Sequence, residues 1–506
     1  MGARGDGVTL DTEAINLAIS SLAKSGGGTV YFPEGRYLTF SIRLQSRITL
    51  SLDSGAIIVA AKPGQDGPGF DVAEPNEWGD GFRYQDFGHS HWRNSLIWGE
   101  NLEDVSITGC GRIEGHALTR TSSRRPGLAN KAISLKLCRN VVLQDFSVLM
   151  AGHFAVLATG VDHLVIENLK IDTIRDGLDI DCCQDVSIRN CIVNTMNDDA
   201  IVLKSSYALG YLRDTEKVVI SDCKVTGYDP GTFLDGSFGK TQQKAPDRDG
   251  PTGRIKLGTE SNGAFRNISI SNCVFERSRG LALETVDGGV IENITINNIS
   301  MREVSSSPIF IRLGNRARGP ESTPVGIIRK VKMSDVVIED ADGRYPMILS
   351  GLSSYRIEDL ELNRIRVVYR GGLTMEEATE QPEELINPFF MQGHPEASGK
   401  RDPFDPPELE KAYPEPSVFG ILPAYGMFIR HAKGIRIRDL KVSTKQPDER
   451  PAFVLQDVSD CHFDRMEADF VKNRELFVLR DVDNFKATSC VGMEDTTIKQ
   501  ARNLCL

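Results

Sequence analysis

Two short stretches hold an unusual density of carboxylates: Asp176-Gly-Leu-Asp-Ile-Asp181 and Met196-Asn-Asp-Asp-Ala-Ile-Val-Leu-Lys204. Asp176 precedes Asp198 by 22 residues and Asp199 by 23. If the chain coils with that period, the three acids stack about 4.8 Å apart, the spacing of neighbouring strands. Carboxylates held that close repel, so at least one retains its proton near neutrality. A protonated acid beside ionised partners is what hydrolysis of a glycosidic bond requires, one group protonating the leaving oxygen while another activates water. The bland reading, turn aspartates bonding to local backbone, suits Asp179 and Asp181, which would alternate with inward Leu178 and Ile180. It suits the stacked trio less well.

The required period is present. An alternating apolar segment followed by Asn or Asp recurs ten times: at 104–110, 140–146, 163–169, 185–191, 217–223, 267–273, 293–299, 330–336, 359–365 and 434–440. Period-2 alternation marks half-buried strands, and recurrence at intervals of twenty-odd residues marks a solenoid. The expected architecture is an all-β, single-domain parallel β-helix over 1–506, with 1–45 as N-terminal cap and first coils and with insertions at 229–253 and 371–425. The one good helical stretch, Asp11 to about Lys24, offers Ala14, Ile15, Leu17, Ala18 and Leu22 as an apolar face to cover the first coil, and Gly26-Gly-Gly28 ends it. Cys110, Cys191, Cys223 and Cys273 share one slot of the repeat and read as reduced core filler.

Net charge is −11, which argues against nucleic acid as a partner. No apolar run reaches membrane-spanning length, and no paired Cys or His cluster implies a metal, so no cofactor is expected. The chain begins in structured sequence, which fits a cytoplasmic protein or an exported one whose leader has been trimmed; secretion or the periplasm is the preferred reading.

Nearly the whole chain resembles glycoside hydrolase family 28, the polygalacturonases and rhamnogalacturonan hydrolases. The resemblance rests on Gly2-Ala-Arg-Gly-Asp-Gly7, Gly26-Gly-Gly-Thr-Val-Tyr-Phe-Pro33, Leu96-Ile-Trp-Gly-Glu100, Ile107-Thr-Gly-Cys-Gly-Arg-Ile-Glu-Gly115, Ile174-Arg-Asp-Gly-Leu-Asp179, Asp198-Asp-Ala-Ile-Val-Leu-Lys-Ser205 and Gly258-Thr-Glu-Ser-Asn-Gly263. It implies a right-handed helix, an inverting mechanism, Asp199 as general acid, and Asp176 and Asp198 as bases that hold the water. Asp176 and Asp199 would then be spaced too widely for a retaining pair.

Three departures qualify the substrate. The stretch from Thr226-Gly-Tyr-Asp-Pro230 to Gly253 lacks the family's histidine. Ala282-Leu-Glu284 stands where the family has Arg-Ile-Lys, and Arg254-Ile-Lys256 spells that motif one coil too early. Ile174 and Arg175 replace Asn and Thr before Asp176. Arg175, Lys204, Arg312 and Arg430 are the substitute cations for a uronate, with Glu260, Glu284 and His153 as further site residues. His89 and His91, two apart on a strand and flanked by Tyr84, Phe87 and Trp92, would share a face of a sugar-binding loop. If both insertions cover the acids, the site is a pocket. The expectation is a monomeric, exo-acting hydrolase of pectic, uronate-containing oligosaccharides, rhamnogalacturonan pieces foremost. The rivals are a non-catalytic carbohydrate-binding β-helix and a calcium-dependent lyase.

Overall fold

In a computed structural model, residues 2–80, 83–119, 129–394, 397–469 and 475–506 are described. The fold is a right-handed parallel β-helix. The chain divides into two compact units, Met1–Gln242 with Asn262–Ala264, and Gln243–Ser261 with Phe265–Leu506.

Each repeat copy is a short strand bracketed by two left-handed residues five positions apart. In unit 1 the brackets are Asp104/Gly109, Asn140/Asp145, His163/Asn168, Asp185/Asn190 and Lys217/Asp222; in unit 2 they are Asn267/Asn272, Asn293/Asn298, Lys330/Asp335, Asp359/Arg364 and Gly434/Asp439. Asn and Asp tolerate positive φ better than other side-chain-bearing residues, which explains their recurrence. Stacked brackets also bond to each other: Asn140 Nδ2 donates to Asp104 Oδ1 at 2.8 Å, and Asn298 Nδ2 to Asn272 Oδ1 at 2.8 Å. Between brackets, residues such as Leu164 and Ile166 point inward and are fully buried. Each such side chain contributes about 1.5–3 kcal/mol of burial.

A second sheet in each unit is buried on both faces. In unit 1 it contains β1 (Ile133–Lys136), β2 (Val156–Thr159), β3 (Leu178–Asp181) and β4 (Ile201–Ser205), paired in parallel with Leu157 opposite Asp179 and Asp181 opposite Lys204. Ile180 and Leu203 face the core, so Asp179 and Lys204 face outward. Their burial is supplied by the loop before Ser95, where Trp92 packs with Phe154, Leu157 and Ala208.

In unit 2 the corresponding sheet runs through β5 (Ile255–Ser261), β6 (Leu281–Thr285), β7 (Ile309–Leu313), β8 (Met347–Ser350), β9 (Met427–Gln446), β10 (Phe453–Asp464) and β11 (Phe477–Thr488). The 371–425 insertion covers its outer face. Val418, Phe419, Leu422 and Ala424 pack on Phe310, Ile348, Phe428 and Val454.

Helix α1 (Thr12–Lys24) packs on the first strands as expected, burying Ile15 and Ile19. Leu17, assigned to its apolar face, is instead 57% exposed, because Ile19 and not Leu17 continues the stripe set by Ile15. Asp11 does not cap the helix; its carboxylate accepts from the Arg4 and Gly5 amides. Gly27 is required after the helix, since a Cβ there would lie 2.5 Å from the Arg47 carbonyl. A second short helix, α2 (Met375–Glu380), lies inside the insertion, closed by a Thr374–Glu377 capping box that periodicity over so few residues does not reveal.

All ten cysteines are free thiols. Cys191 and Cys223 occupy neighbouring rungs and are buried, and Cys273 fills the same slot in unit 2. Cys110 departs from the expected pattern and is exposed.

Candidate active site

The catalytic candidates meet in unit 1. Asp176 lies in the turn entering β3 and Asp199 in the turn entering β4, and the strand pairing of Leu178 with Ile201 places one above the other. The Asp199 amide donates to Asp176 Oδ1 at 3.2 Å and to Asp198 Oδ1 at 3.1 Å. One oxygen from each of the three carboxylates lies within 4.8 Å of the other two. Asp176 and Asp199 are buried, whereas 27% of the Asp198 side chain is exposed. Burial, and then the neighbouring Asp198 carboxylate, raises Asp176 well above the usual carboxylate range. The expectation of a wide Asp176–Asp199 gap fails. Their nearest oxygens fall short of the roughly 6.5–9.5 Å usual for an inverting pair, because the acids stack on adjacent rungs instead of facing each other across a cleft.

Arg175 holds this cluster from one side. Its Nε donates to Asp198 Oδ2 at 2.8 Å, its NH1 approaches the His153 ring at 2.9 Å, and its guanidinium lies 5.4 Å from the centre of the Phe154 ring. The guanidinium stays charged, because Asp198, Asp176 and Asp86 together outweigh its burial. His153 is neutral: burial, followed by the adjacent Arg175 charge, lowers it to about 3.

The loop ahead of the first repeat copies supplies the other side. Phe87–His89 forms a 3-10 turn whose Asp86 side chain accepts from the His89 amide. Gly88 allows the turn to approach, since a Cβ there would fall 2.0 Å from the His153 ring. His89 Nδ1 then stands 2.5 Å from Asp86 Oδ1 and its Nε2 3.0 Å from Asp179 Oδ2. Lys204 Nζ lies 2.6 Å from the same Nε2 and 3.6 Å from Asp179. A single Nε2 cannot both donate to Asp179 and accept from Lys204. Burial opposes charge on His89, but Asp86, with Asp179 behind it, outweighs both burial and Lys204 and raises the ring to about 10. The charged ring therefore serves both carboxylates as counter-ion.

Several expectations need correction. His89 and His91 do not lie on a strand or share a face: His91 turns to Asp80, 2.7 Å from its Nε2, and accepts no part in the cluster. Tyr84, Phe87 and Trp92 are buried, so they pack the loop onto the coils instead of offering faces to sugar rings. Asp179 and Asp181 are not turn residues. Asp181 accepts from the Ser206 amide and hydroxyl, while Asp179 belongs to the charged cluster. Asp86 and Asp179 are the members missed in sequence. Asp179 was detectable, because alternation along β3 puts it on the same outward face as Lys204.

The remaining candidates lie in unit 2. Glu284 is buried beside Lys256, whose Nζ is 3.5 Å away, and accepts from the Thr259 hydroxyl. Glu260 stands 3.6 Å from Arg316. Arg254 pairs with Glu415 of the insertion at 3.1 Å, so Arg254-Ile-Lys256 serves to anchor that insertion. Arg312 and Arg430 donate to the insertion's backbone carbonyls at Glu408 and Pro406. The first part of the 229–253 insertion folds onto unit 1: the Gly231, Phe233 and Leu234 amides donate to Asp172, and Gln242 Nε2 donates to Asn197 Oδ1 at 2.6 Å, next to Asp198.

Three groups have the ligand types of a cation site: the carboxylate trio, His89 with Asp176 and Asp179, and Asp86 with His89 and His153. Arg175 and the His89 imidazolium already place positive charge among them, which disfavours a further cation.

A parallel β-helix with a stacked carboxylate trio defines the class. A family model described as rhamnogalacturonase A/epimerase, pectate lyase-like, matches residues 1–81. A probable polygalacturonase of Vitis vinifera is 26% identical over 369 residues, 67% of this chain and 67% of that protein. An exo-poly-alpha-D-galacturonosidase of Dickeya chrysanthemi is 22% identical, over 70% of this chain and 64% of that protein, so the match spans less than two thirds of that relative's length. The crystal structure of a hyperthermoactive exopolygalacturonase from Thermotoga maritima superposes with a TM-score of 0.57 at 21% identity, covering 73% of this chain and 85% of the other. The chain is thus similar to polygalacturonases and exo-acting galacturonosidases in sequence and to an exopolygalacturonase in fold.

Proposed function

We propose that this protein hydrolyses glycosidic bonds of pectic, uronate-containing chains, releasing sugar from chain ends. The observation that carries this reading is the trio itself: three carboxylates on adjacent rungs, one favoured in its protonated form by burial and one paired with Arg175. Such a set can donate a proton to a leaving oxygen and deprotonate a water in the same site. Following the motif resemblance, Asp199 is the general acid, and Asp176 and Asp198 orient the water. The resting proton is favoured on Asp176, whose carboxyl oxygen lies within 4.8 Å of one of Asp199, close enough for the proton to be passed to the general acid. Inversion rests on the resemblance and not on carboxylate spacing. The names of the relatives support pectic substrates, and two of them support exo-action.

Arg175, Lys204 and His89 supply positive charge around the acids, which a uronate needs in a protein of net charge −11. The enzyme works without metal, as a monomer, and outside the cytoplasm. No helix among the described residues is long and apolar enough to cross a membrane. The deciding experiment incubates the protein with galacturonate oligomers and rhamnogalacturonan fragments, both with added calcium and with a chelator. Chain-end sugars without an unsaturated product are expected. An ultraviolet-absorbing unsaturated product would make the protein a lyase, and binding without turnover would make it a carbohydrate-binding β-helix.

A further inference from the structure

In unit 2 one residue per rung forms an outward polar ladder: Glu284, Arg312, Ser350, Arg430, Gln456 and Arg480 stand directly opposite one another in successive pairings. Residues 402–408 of the insertion, Asp-Pro-Phe-Asp-Pro-Pro-Glu, lie along it. Arg480 stands 3.5 Å from Asp402 and 4.5 Å over the Phe404 ring. Gln456 Nε2 donates to the Phe404 carbonyl, Arg430 to the Pro406 carbonyl at 2.6 Å, and Arg312 to the Glu408 carbonyl at 2.5 Å.

Residues 402–405 make a turn in which the Asp405 amide donates to the Asp402 carbonyl at 3.0 Å, and the carbonyls of Phe404, Pro406 and Glu408 meet Gln456, Arg430 and Arg312 in order along the ladder. Pro406 and Pro407 favour an extended run after that turn.

The ladder carries more charge than its occupant uses. A backbone carbonyl needs one neutral donor, yet it receives a guanidinium at two rungs. Arg312 and Arg430 form no ion pair among the described residues, although Arg312 is fully buried. Their nearest acids, Glu408 and Glu410 for Arg312 and Glu408, Asp405 and Asp457 for Arg430, act on them without forming an ion pair, so a carboxylate seated on the ladder would make a direct one. The occupant is itself acidic, with Asp402, Asp405, Glu408 and Glu410 within nine residues.

We propose that this ladder is a binding site for an extended polyuronate chain and that residues 402–408 fill it as a displaceable intramolecular mimic. The ligand class rests on the function proposed above; the ladder and its occupant stand without it.

The test uses full-length protein carrying Asp199→Asn, so that ligand is not consumed. Isothermal titration with a polygalacturonate fraction is compared with and without Phe404→Gly/Pro406→Gly/Pro407→Gly, with dextran as the neutral control. The strap variant is expected to bind polygalacturonate at least tenfold tighter, with strong salt dependence and no gain for dextran. Adding Arg430→Ala/Arg480→Ala should erase the gain. An unchanged affinity in a strap variant with wild-type circular dichroism overturns the proposal, as does a gain that survives loss of both arginines. If the strap variant fails to fold, trypsin decides the matter: polygalacturonate should accelerate cleavage of the Asp199→Asn parent after Arg401 or Lys411, and an unchanged rate overturns it. Gained binding together with a wild type that cleaves no glycoside would sink the hydrolase reading and leave the ladder standing.

Discussion

The amide of Asp199 donates to the carboxylate of Asp176 at 3.2 Å, across 23 residues and one turn of the helix. One acid is thus positioned by the other's main chain. Side-chain changes at Asp199 leave this link intact, so the trio can be dissected without dismantling it.

Asp199→Asn and Asp198→Asn should each lower turnover on a cleaved pectic oligomer by at least about 10²-fold, the contribution typical of a positioned acid or base. Circular dichroism and melting temperature should stay near wild type. Near-normal turnover in either variant removes that residue from the chemistry.

The first-formed product should carry the inverted anomeric configuration, read by proton NMR before mutarotation. Retention would accord with the close carboxylate spacing and would replace the water-holding role of Asp176 and Asp198 with a covalent one.

Asp176 gives a stability prediction whose sign can be worked out. Its folded pKa is raised, so between its ordinary value and the raised one the folded state binds more protons than the unfolded state, and stability falls as pH rises through that window. Asp176→Asn retains an acceptor for the Asp199 amide and cannot ionise. It should therefore be more stable than wild type at pH 7, while losing activity. Urea midpoints at pH 4 and pH 7 check this; an advantage that is no larger at pH 7 than at pH 4 refutes it.

His89 titrates with the opposite charge type. Its folded value of about 10 exceeds the ordinary 6.5, so its contribution is complete below about 6.5 and is lost as pH rises through about 10. Asp86→Asn removes the largest favourable partner, and the variant should lose less stability than wild type between pH 7 and pH 10. Parallel loss in the two proteins would show that the ring is neutral and accepts from Lys204.

Gly88→Ala should disturb catalysis without touching an acid. The added Cβ would displace the turn bearing His89 from His153, and a fall in turnover exceeding tenfold with little change in melting temperature is expected. Wild-type kinetics would mean that the loop yields freely and that His89 does not position the site.

Much of this was readable from residues alone. The repeat announced itself because exposed sheets alternate polar with apolar, and the 22–23 residue offset of the acids equals one rung. The second sheet was harder to read. Its outward residues are covered, so Leu-Asp-Ile-Asp, Ile-Val-Leu-Lys and Ile-Phe-Ile-Arg look like ordinary core strands with a stray charge. The series Arg312, Ser350, Arg430, Gln456, Arg480 recurs at the fourth position of such segments, yet the insertion parts Ser350 from Arg430 and hides the period. Asp86 and the turn beside it had no signal at all, since a loop's docking depends on surfaces distant in sequence, here the His153 ring.

The left-handed brackets also bear on how this scaffold can change over time or under design. Each pair pins a strand between fixed bends, so added sequence can accumulate outside the brackets without shifting strand register. The 229–253 and 371–425 segments are such additions, and the strands on either side of the second, Met347–Ser350 and Met427–Gln446, still align residue for residue. Chemistry and selectivity are thereby decoupled: rungs hold the acids at constant spacing, while loops between brackets can be lengthened, shortened or exchanged to alter what the acids meet.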